Sequence, residues 1–123
     1  MSKRLRIKPV SDLVVAKDRI VFASTRKVNA VAKMIRGLKV DKAVDALTFC
    51  KRGPAKAVKK VLIAAICNAV NNNGLNADAL VVKEAYVGKS VVLRRYMPRA
   101  KGSGSPIRKE FSRLTVVLCE VGE

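Results

Sequence analysis

Residues 93–114 read LRRYMPRAKGSGSPIRKEFSRL. The stretch carries seven cations, Arg94, Arg95, Arg99, Lys101, Arg108, Lys109 and Arg113, against one acid, Glu110. Its centre, residues 98–106, is rich in glycine, proline and serine, and apolar strand-like residues stand on both sides. A basic strand, a flexible tip and a basic strand returning predict a long β-hairpin, which we place at about residues 90–113. An isolated two-stranded ribbon is marginal in water, so this one needs a partner surface. Arginine forks pair bidentately with phosphate oxygens, and lysine adds a point charge. Small residues at the tip permit close backbone approach. The partner expected from the residues alone is therefore phosphate-rich.

Outward from the hairpin, alternation predicts strands at both flanks. Residues 80–87 read as a strand, and 91–97 as another or as its continuation, with Gly88 and Lys89 as a bend. Residues 111–121 read as the last strand. Leu114, Val116 and Leu118 fall on one face of it, and Thr115, Val117 and Cys119 on the other.

Upstream the period becomes helical. Val28, Val31, Ala32 and Ile35 share one face of a helix that a Ser24 or Thr25 hydroxyl would cap and Gly37 would end. A second helix is expected from about Asp41 to Phe49, on Val40, Ala43, Val44 and Leu47, with Asp41 favoured at its positive end. The third opens at Gly53-Pro54, with proline at the first helical position. Its wide apolar stripe comprises Ala57, Val58, Val61, Leu62, Ala65, Ile66, Ala69 and Val70, and Asn71 to Gly74 stop it. Residues 11–23 read as a loop or short extended pieces. Residues 1–10 form a basic arm in which Arg4, Arg6 and Lys8 alternate with Leu5 and Ile7, as in a short strand. Strand, three helices, then antiparallel strands give an α+β fold: three helices packed on a small antiparallel sheet, with the long hairpin protruding.

At 123 residues the chain is expected to form a single domain spanning 1–123. Its 26 lysines and arginines exceed 9 acids by 17, which opposes compaction unless a polyanion relieves it. Histidine is absent, which removes the imidazole base and the commonest metal ligand. No phosphate-binding glycine loop or nucleophile elbow occurs, and the acids are scattered, so no catalytic residue, metal or cofactor is expected. Cys50, Cys67 and Cys119 are far apart and suit a reducing cytosol. Cys67, among Ala65, Ile66 and Ala69, reads as a small buried hydrophobe. The longest apolar run, residues 61–67, is too short to span a membrane, and no signal peptide is evident, so a soluble intracellular protein is expected. Arg26, Lys27, Lys33 and Arg36 either line RNA or form a wet helix face; the same alternatives stand for Lys56, Lys59 and Lys60, with the solvated face slightly favoured. Charge alone leaves open a free architectural protein that inserts a basic ribbon into a nucleic-acid groove.

Several segments are familiar as a set. Arg26-Lys27-Val28 through Met34-Ile35-Arg36-Gly37, Ala43-Val44-Asp45-Ala46-Leu47 and Lys59-Lys60-Val61-Leu62 are followed by Asn72-Asn73-Gly74-Leu75 and Ala85-Tyr86-Val87. Met97-Pro98-Arg99-Ala100-Lys101-Gly102 and Leu114-Thr115-Val116-Val117-Leu118 complete the order. From about residue 11 to 121 the chain resembles the bacterial-type large-subunit ribosomal protein L twenty-two family. The resemblance implies a structural, non-catalytic constituent of the large ribosomal subunit that binds 23S-type rRNA and helps assembly. It implies neighbouring ribosomal proteins and the nascent polypeptide as further partners, with no membrane and no homo-oligomer, in a cytoplasmic or organellar ribosome. Arg94, Arg95, Arg99, Lys101, Arg108, Lys109 and Arg113 would hold rRNA along the hairpin, and Arg4, Arg6, Lys8, Arg26 and Lys27 from the globular side. Met97, Pro98, Arg99, Ala100, Lys101, Gly102, Ser103 and Gly104 would line the peptide exit tunnel. Where the family usually continues with arginines, this chain has Ser103-Gly104-Ser105-Pro106.

Overall fold

The computed structural model describes residues 6–7 and 13–122. The order among them is β1 (Arg6–Ile7), β2 (Val14–Val21), α1 (Thr25–Ile35), α2 (Val40–Thr48), α3 (Ala55–Asn73), β3 (Leu80–Pro98) and β4 (Gly104–Gly122). Short 3-10 turns lie at Ala77–Ala79 and Ala100–Gly102. The fold is α+β, with three helices on an antiparallel sheet from which a long hairpin extends.

The middle strand is β4. It pairs with β3 from Leu80↔Glu120 to Pro98↔Gly104. It also pairs with β2, from Val14↔Leu118 to Val21↔Ser112, and near its end with β1, at Arg6↔Gly122 and Ile7↔Val121. A central strand has both edges paired, and the helices back one face of this one. Accordingly Leu114, Val116, Leu118 and Cys119 are fully buried, and Thr115 and Val117 are only 3% and 6% exposed. The alternation expected along this strand holds: Leu114, Val116 and Leu118 join the helix-backed core, and Thr115, Val117 and Cys119 lie on the opposite row. Irregularities fall on the partners, between Val82 and Glu84 and between Lys89 and Val92 on β3, and between Asp18 and Val21 on β2. Such bulges bend a strand and sharpen its twist. Residues 91–97 thus continue β3 through the irregularity after Lys89.

Each helix buries the face that its periodicity marks: Val28, Val31, Ala32 and Ile35 on α1, Val40, Ala43 and Leu47 on α2, and Val58, Val61, Leu62, Ala65 and Ala69 on α3. They close over Val14, Ala16, Val21, Leu80, Val82 and Ala85 of the flanking strands. Full burial of a side chain such as Leu62 or Ile35 stabilises by about 1.5–3 kcal/mol. Gly37, at φ 77°, turns the chain out of α1 so that its N–H donates to Val82 O at 2.9 Å, docking the helix end on the sheet. Gly74, at φ 61°, closes α3 in the left-handed conformation.

Five expectations are corrected. Residues 14–21 are a continuous strand; the charged run Lys17 to Arg19 meets the bulge, which breaks the alternation. Ser24 occupies the cap position of α1 but its side chain makes no capping bond; its carbonyl accepts from Val28 N–H at 3.1 Å. Pro54 precedes α3 as its cap residue rather than opening it. Cys67 is exposed and Val70 is 41% exposed, because α3 is apolar on more sides than the sheet can cover. The strands also run closer to the tip than expected, leaving only residues 99–103 between them.

Candidate nucleic-acid interface

Past the last β2 pairing at Ser112, β3 and β4 continue alone from Lys89↔Ser112 to Pro98↔Gly104. At about 3.3 Å per residue this ribbon reaches roughly 30 Å from the sheet. Residues paired across antiparallel strands share a face. Arg94 stands opposite Arg108, Leu93 opposite Lys109, and Arg95 opposite Ile107. Arg94 and Arg108 therefore occupy one face, and Arg95 and Lys109 the other, so both faces are cationic. Arg108 continues the β4 row of Leu114 and Val116; Lys109 and Arg113 continue the opposite row. All seven cations read from the sequence are exposed. Like charges directly opposite on a ribbon destabilise it. Anions between or above the guanidinium groups remove that penalty.

The tip is a closed turn. Arg99 N–H donates to Ser103 O at 2.7 Å, and Ser103 Oγ donates to Ala100 O at 2.8 Å. Lys101 and Gly102 both take the left-handed conformation, at φ 61° and 70°. For glycine this is free of strain, whereas for lysine it costs about 1 kcal/mol, and the closing bonds enforce it. The Tyr96 ring lies across Gly104, in the space a β-carbon there would fill. Met97, Pro98, Arg99, Ala100, Lys101, Gly102, Ser103 and Gly104 are all exposed.

At the root, the corner after β2 is tied to β4. Ser112, fully buried, donates from Oγ to Ala23 O at 2.6 Å. Beside it Phe22 and Phe111 meet edge to face, ring centres 5.1 Å apart. Arg26 lines a recess of about 340 Å³ with Tyr86 and Arg36. Lys27 lines a different one, of about 730 Å³, with Phe22, Lys56 and Lys60. Arg36 is committed to the fold: Nε donates to Ala85 O at 2.6 Å and Nη2 to Asn29 Oδ1 at 2.7 Å. Arg4 and Lys8 lie outside the described residues, and Arg6 is described only as backbone in β1.

The sequence reading missed Phe22, Lys56 and Lys60 as a group, since they come together only through tertiary packing. Among the thiols, burial pushes the Cys119 thiol pKa up, an effect that nearby Lys83 partly offsets. Cys50 and Cys67 are also free. Among the described residues no cluster of metal-ligating side chains occurs, and no helix is long and apolar enough to cross a membrane.

Fold and surface together define a small α+β protein whose helix-backed sheet carries an exposed cationic β-ribbon. The model of the family described as Ribosomal protein L22p/L17e matches residues 16–119, a span that runs from within β2 through the whole ribbon and most of β4. The chain belongs to that family. Among its relatives, "Large ribosomal subunit protein uL22" of Maricaulis maris is 50% identical over 108 residues, covering 88% of this chain and 86% of the relative. The protein of the same name from Phenylobacterium zucineum is 44% identical over 124 residues, covering 100% of this chain and 98% of the relative. That from Brucella suis is 51% identical over 105 residues, covering 85% and 81%.

Proposed function

We propose that this chain is a structural constituent of the large ribosomal subunit, binding 23S-type rRNA and supporting subunit assembly through its ribbon. The observation that carries the reading is the ribbon's charge: seven exposed cations between residues 94 and 113, those on the strands spread over both faces and two at the tip, with Arg94 directly opposite Arg108. Its relatives' names place them in the large subunit. Arg94, Arg95, Arg108, Lys109 and Arg113 hold phosphates along the ribbon, and Arg99 and Lys101 do so at the tip. Arg26 and Lys27 extend the contact over the body, and the basic arm Arg4, Arg6 and Lys8 adds to it. The tip, residues 97–104, lines the nascent-peptide exit tunnel. Ala100, Gly102, Ser103 and Gly104 offer a passing chain little apolar grip, which suits a conduit wall. Neighbouring large-subunit proteins and the nascent polypeptide are the other partners of a single-domain, non-catalytic protein of the cytoplasmic ribosome.

The test is charge reversal at exposed positions, where Arg95 makes only a local bond, from Nη1 to Arg94 O at 3.1 Å. A tagged Arg95→Glu, Arg99→Glu chain, expressed beside the wild type, is predicted to be depleted from large subunits in sucrose gradients. Incorporation equal to wild type would show that the ribbon is not the anchor. Affinity of the purified chain for rRNA should also fall with salt, by about 0.7–0.9 log units per log unit of salt for each phosphate contacted.

A further inference from the structure

The groove at the ribbon's root has a character different from the ribbon itself. It lies between the corner that joins β2 to α1 and the start of α3, with a volume of about 730 Å³, within the range of pockets that take small ligands. Val21, Ala23, Pro54 and Ala57 give it an apolar lining, and Phe22 stands at it 84% exposed. So large an exposed aromatic ring gains nothing from the fold on its own. Yet it is held in place: Phe111 props it edge to face at 5.1 Å, and the Ser112 Oγ bond to Ala23 O fixes the backbone beside it.

Three lysines line the same groove as this ring, Lys27 from α1 and Lys56 and Lys60 one turn apart on α3. The one acid in the lining, Asp18, already accepts a bond from Ile20 N–H at 3.2 Å through Oδ1. An exposed aromatic ring in a groove also lined by cations matches a planar base joined to phosphates. The groove also adjoins the ribbon, because Phe111 belongs to β4, so a strand followed by the ribbon's arginines passes it.

We propose that this groove is a nucleotide pocket: it takes one unstacked base of RNA against Phe22, with the adjoining phosphates on Lys27, Lys56 and Lys60. The inference rests on the RNA-binding reading above and adds to it a recognition of bases, which the ribbon's cations do not supply.

The natural chain has no tryptophan, so Phe22→Trp introduces a single indole reporter at an exposed position. The full chain carrying it would be titrated with an oligoadenylate RNA decamer and with an abasic ribose-phosphate decamer of equal charge. Total binding would be followed by anisotropy of the labelled oligomers. The pocket predicts that only the base-bearing decamer quenches the indole. Phe22→Ala should weaken oligoadenylate binding about tenfold and leave the abasic oligomer within twofold. Replacing Lys27, Lys56 and Lys60 together by Gln should weaken both oligomers. Equal quenching by both, or no quenching while anisotropy reports bound RNA, overturns the pocket and leaves the ribbon reading standing. Wild-type chain that binds neither oligomer overturns both readings. Quenching by a decaglutamate peptide at lower concentration than by RNA assigns the groove to a protein partner instead and overturns the pocket.

Discussion

Replacing Arg108 by Glu should make the free ribbon more ordered and the protein worse at holding RNA. Arg108 faces Arg94 across the ladder, and both side chains are exposed. Facing β-carbons on antiparallel strands lie about 5 Å apart. Unit charges roughly 6 Å apart in water repel by about 0.7 kcal/mol, and salt at physiological strength lowers this further. Glu at position 108 turns repulsion into attraction of similar size. The swing is roughly 1 kcal/mol, or about fivefold in the equilibrium between closed and open ribbon. Amide exchange of residues 92–98 and 104–110 reads it directly, because the ribbon opens without the core. Protection there should rise about fivefold in the free protein. The same substitution removes one phosphate contact and places an anion beside another. The salt slope of rRNA binding should then fall by about 0.7–0.9, and affinity at low salt by tenfold or more. Opposite signs in the two assays are the signature. If protection and affinity fall together, the residue is structural, and if affinity and slope are unchanged, Arg108 touches no phosphate.

Three further outcomes follow from the same contacts. Ser112→Ala leaves the half-buried Ala23 carbonyl without its partner, so the denaturant midpoint should drop by the equivalent of about 1 kcal/mol; an unchanged midpoint would mean that water replaces the hydroxyl. Gly104→Val puts a side chain where the Tyr96 ring lies, so proton shifts of Tyr96 and amide protection of residues 96–104 should change while the core stays as protected as before. Burial holds the Cys119 thiol above its ordinary range, so the unfolded chain loses that proton first as pH rises. Its contribution to stability is whole below about pH 8.5 and declines above it, at up to about 1.4 kcal/mol per pH unit, until the folded thiol also ionises. The difference in denaturant midpoint between wild type and Cys119→Ala should therefore narrow from pH 8 to pH 10, and a constant difference would refute it.

Much of this protein can be read from local pattern because most of its elements bury one face. The i, i+3, i+4 spacing of Val28, Val31, Ala32 and Ile35 marks α1 correctly, and alternation marks β4. The ribbon is legible because its cations interrupt apolar strands that then resume. Pattern fails where tertiary context decides. The bulge between Asp18 and Val21 hides β2, since Asp18 falls on the inward row of Val14 and Ala16, and the register step then turns Val21 rather than Ile20 to the core. On α3, Ile63, Cys67 and Val70 are as apolar as their neighbours, and only the position of the sheet leaves them outside. Arg36 looks like any surface cation until Ala85 O and Asn29 Oδ1 are seen to hold it. The groove at Phe22 draws on β2, α1, α3 and β4, and no local motif announces such a meeting.

The proposed role lays the cationic ribbon along large-subunit rRNA. Ultraviolet cross-linking in cells, with sequencing of the attached RNA and mass spectrometry of the attached peptide, tests it most directly. A ribbon bound to that RNA gives cross-links concentrated in 23S-type rRNA, with the peptide containing Arg99 and Lys101 joined to nucleotides that line the exit tunnel. Cross-links scattered over messenger RNA, or confined to DNA, would contradict it.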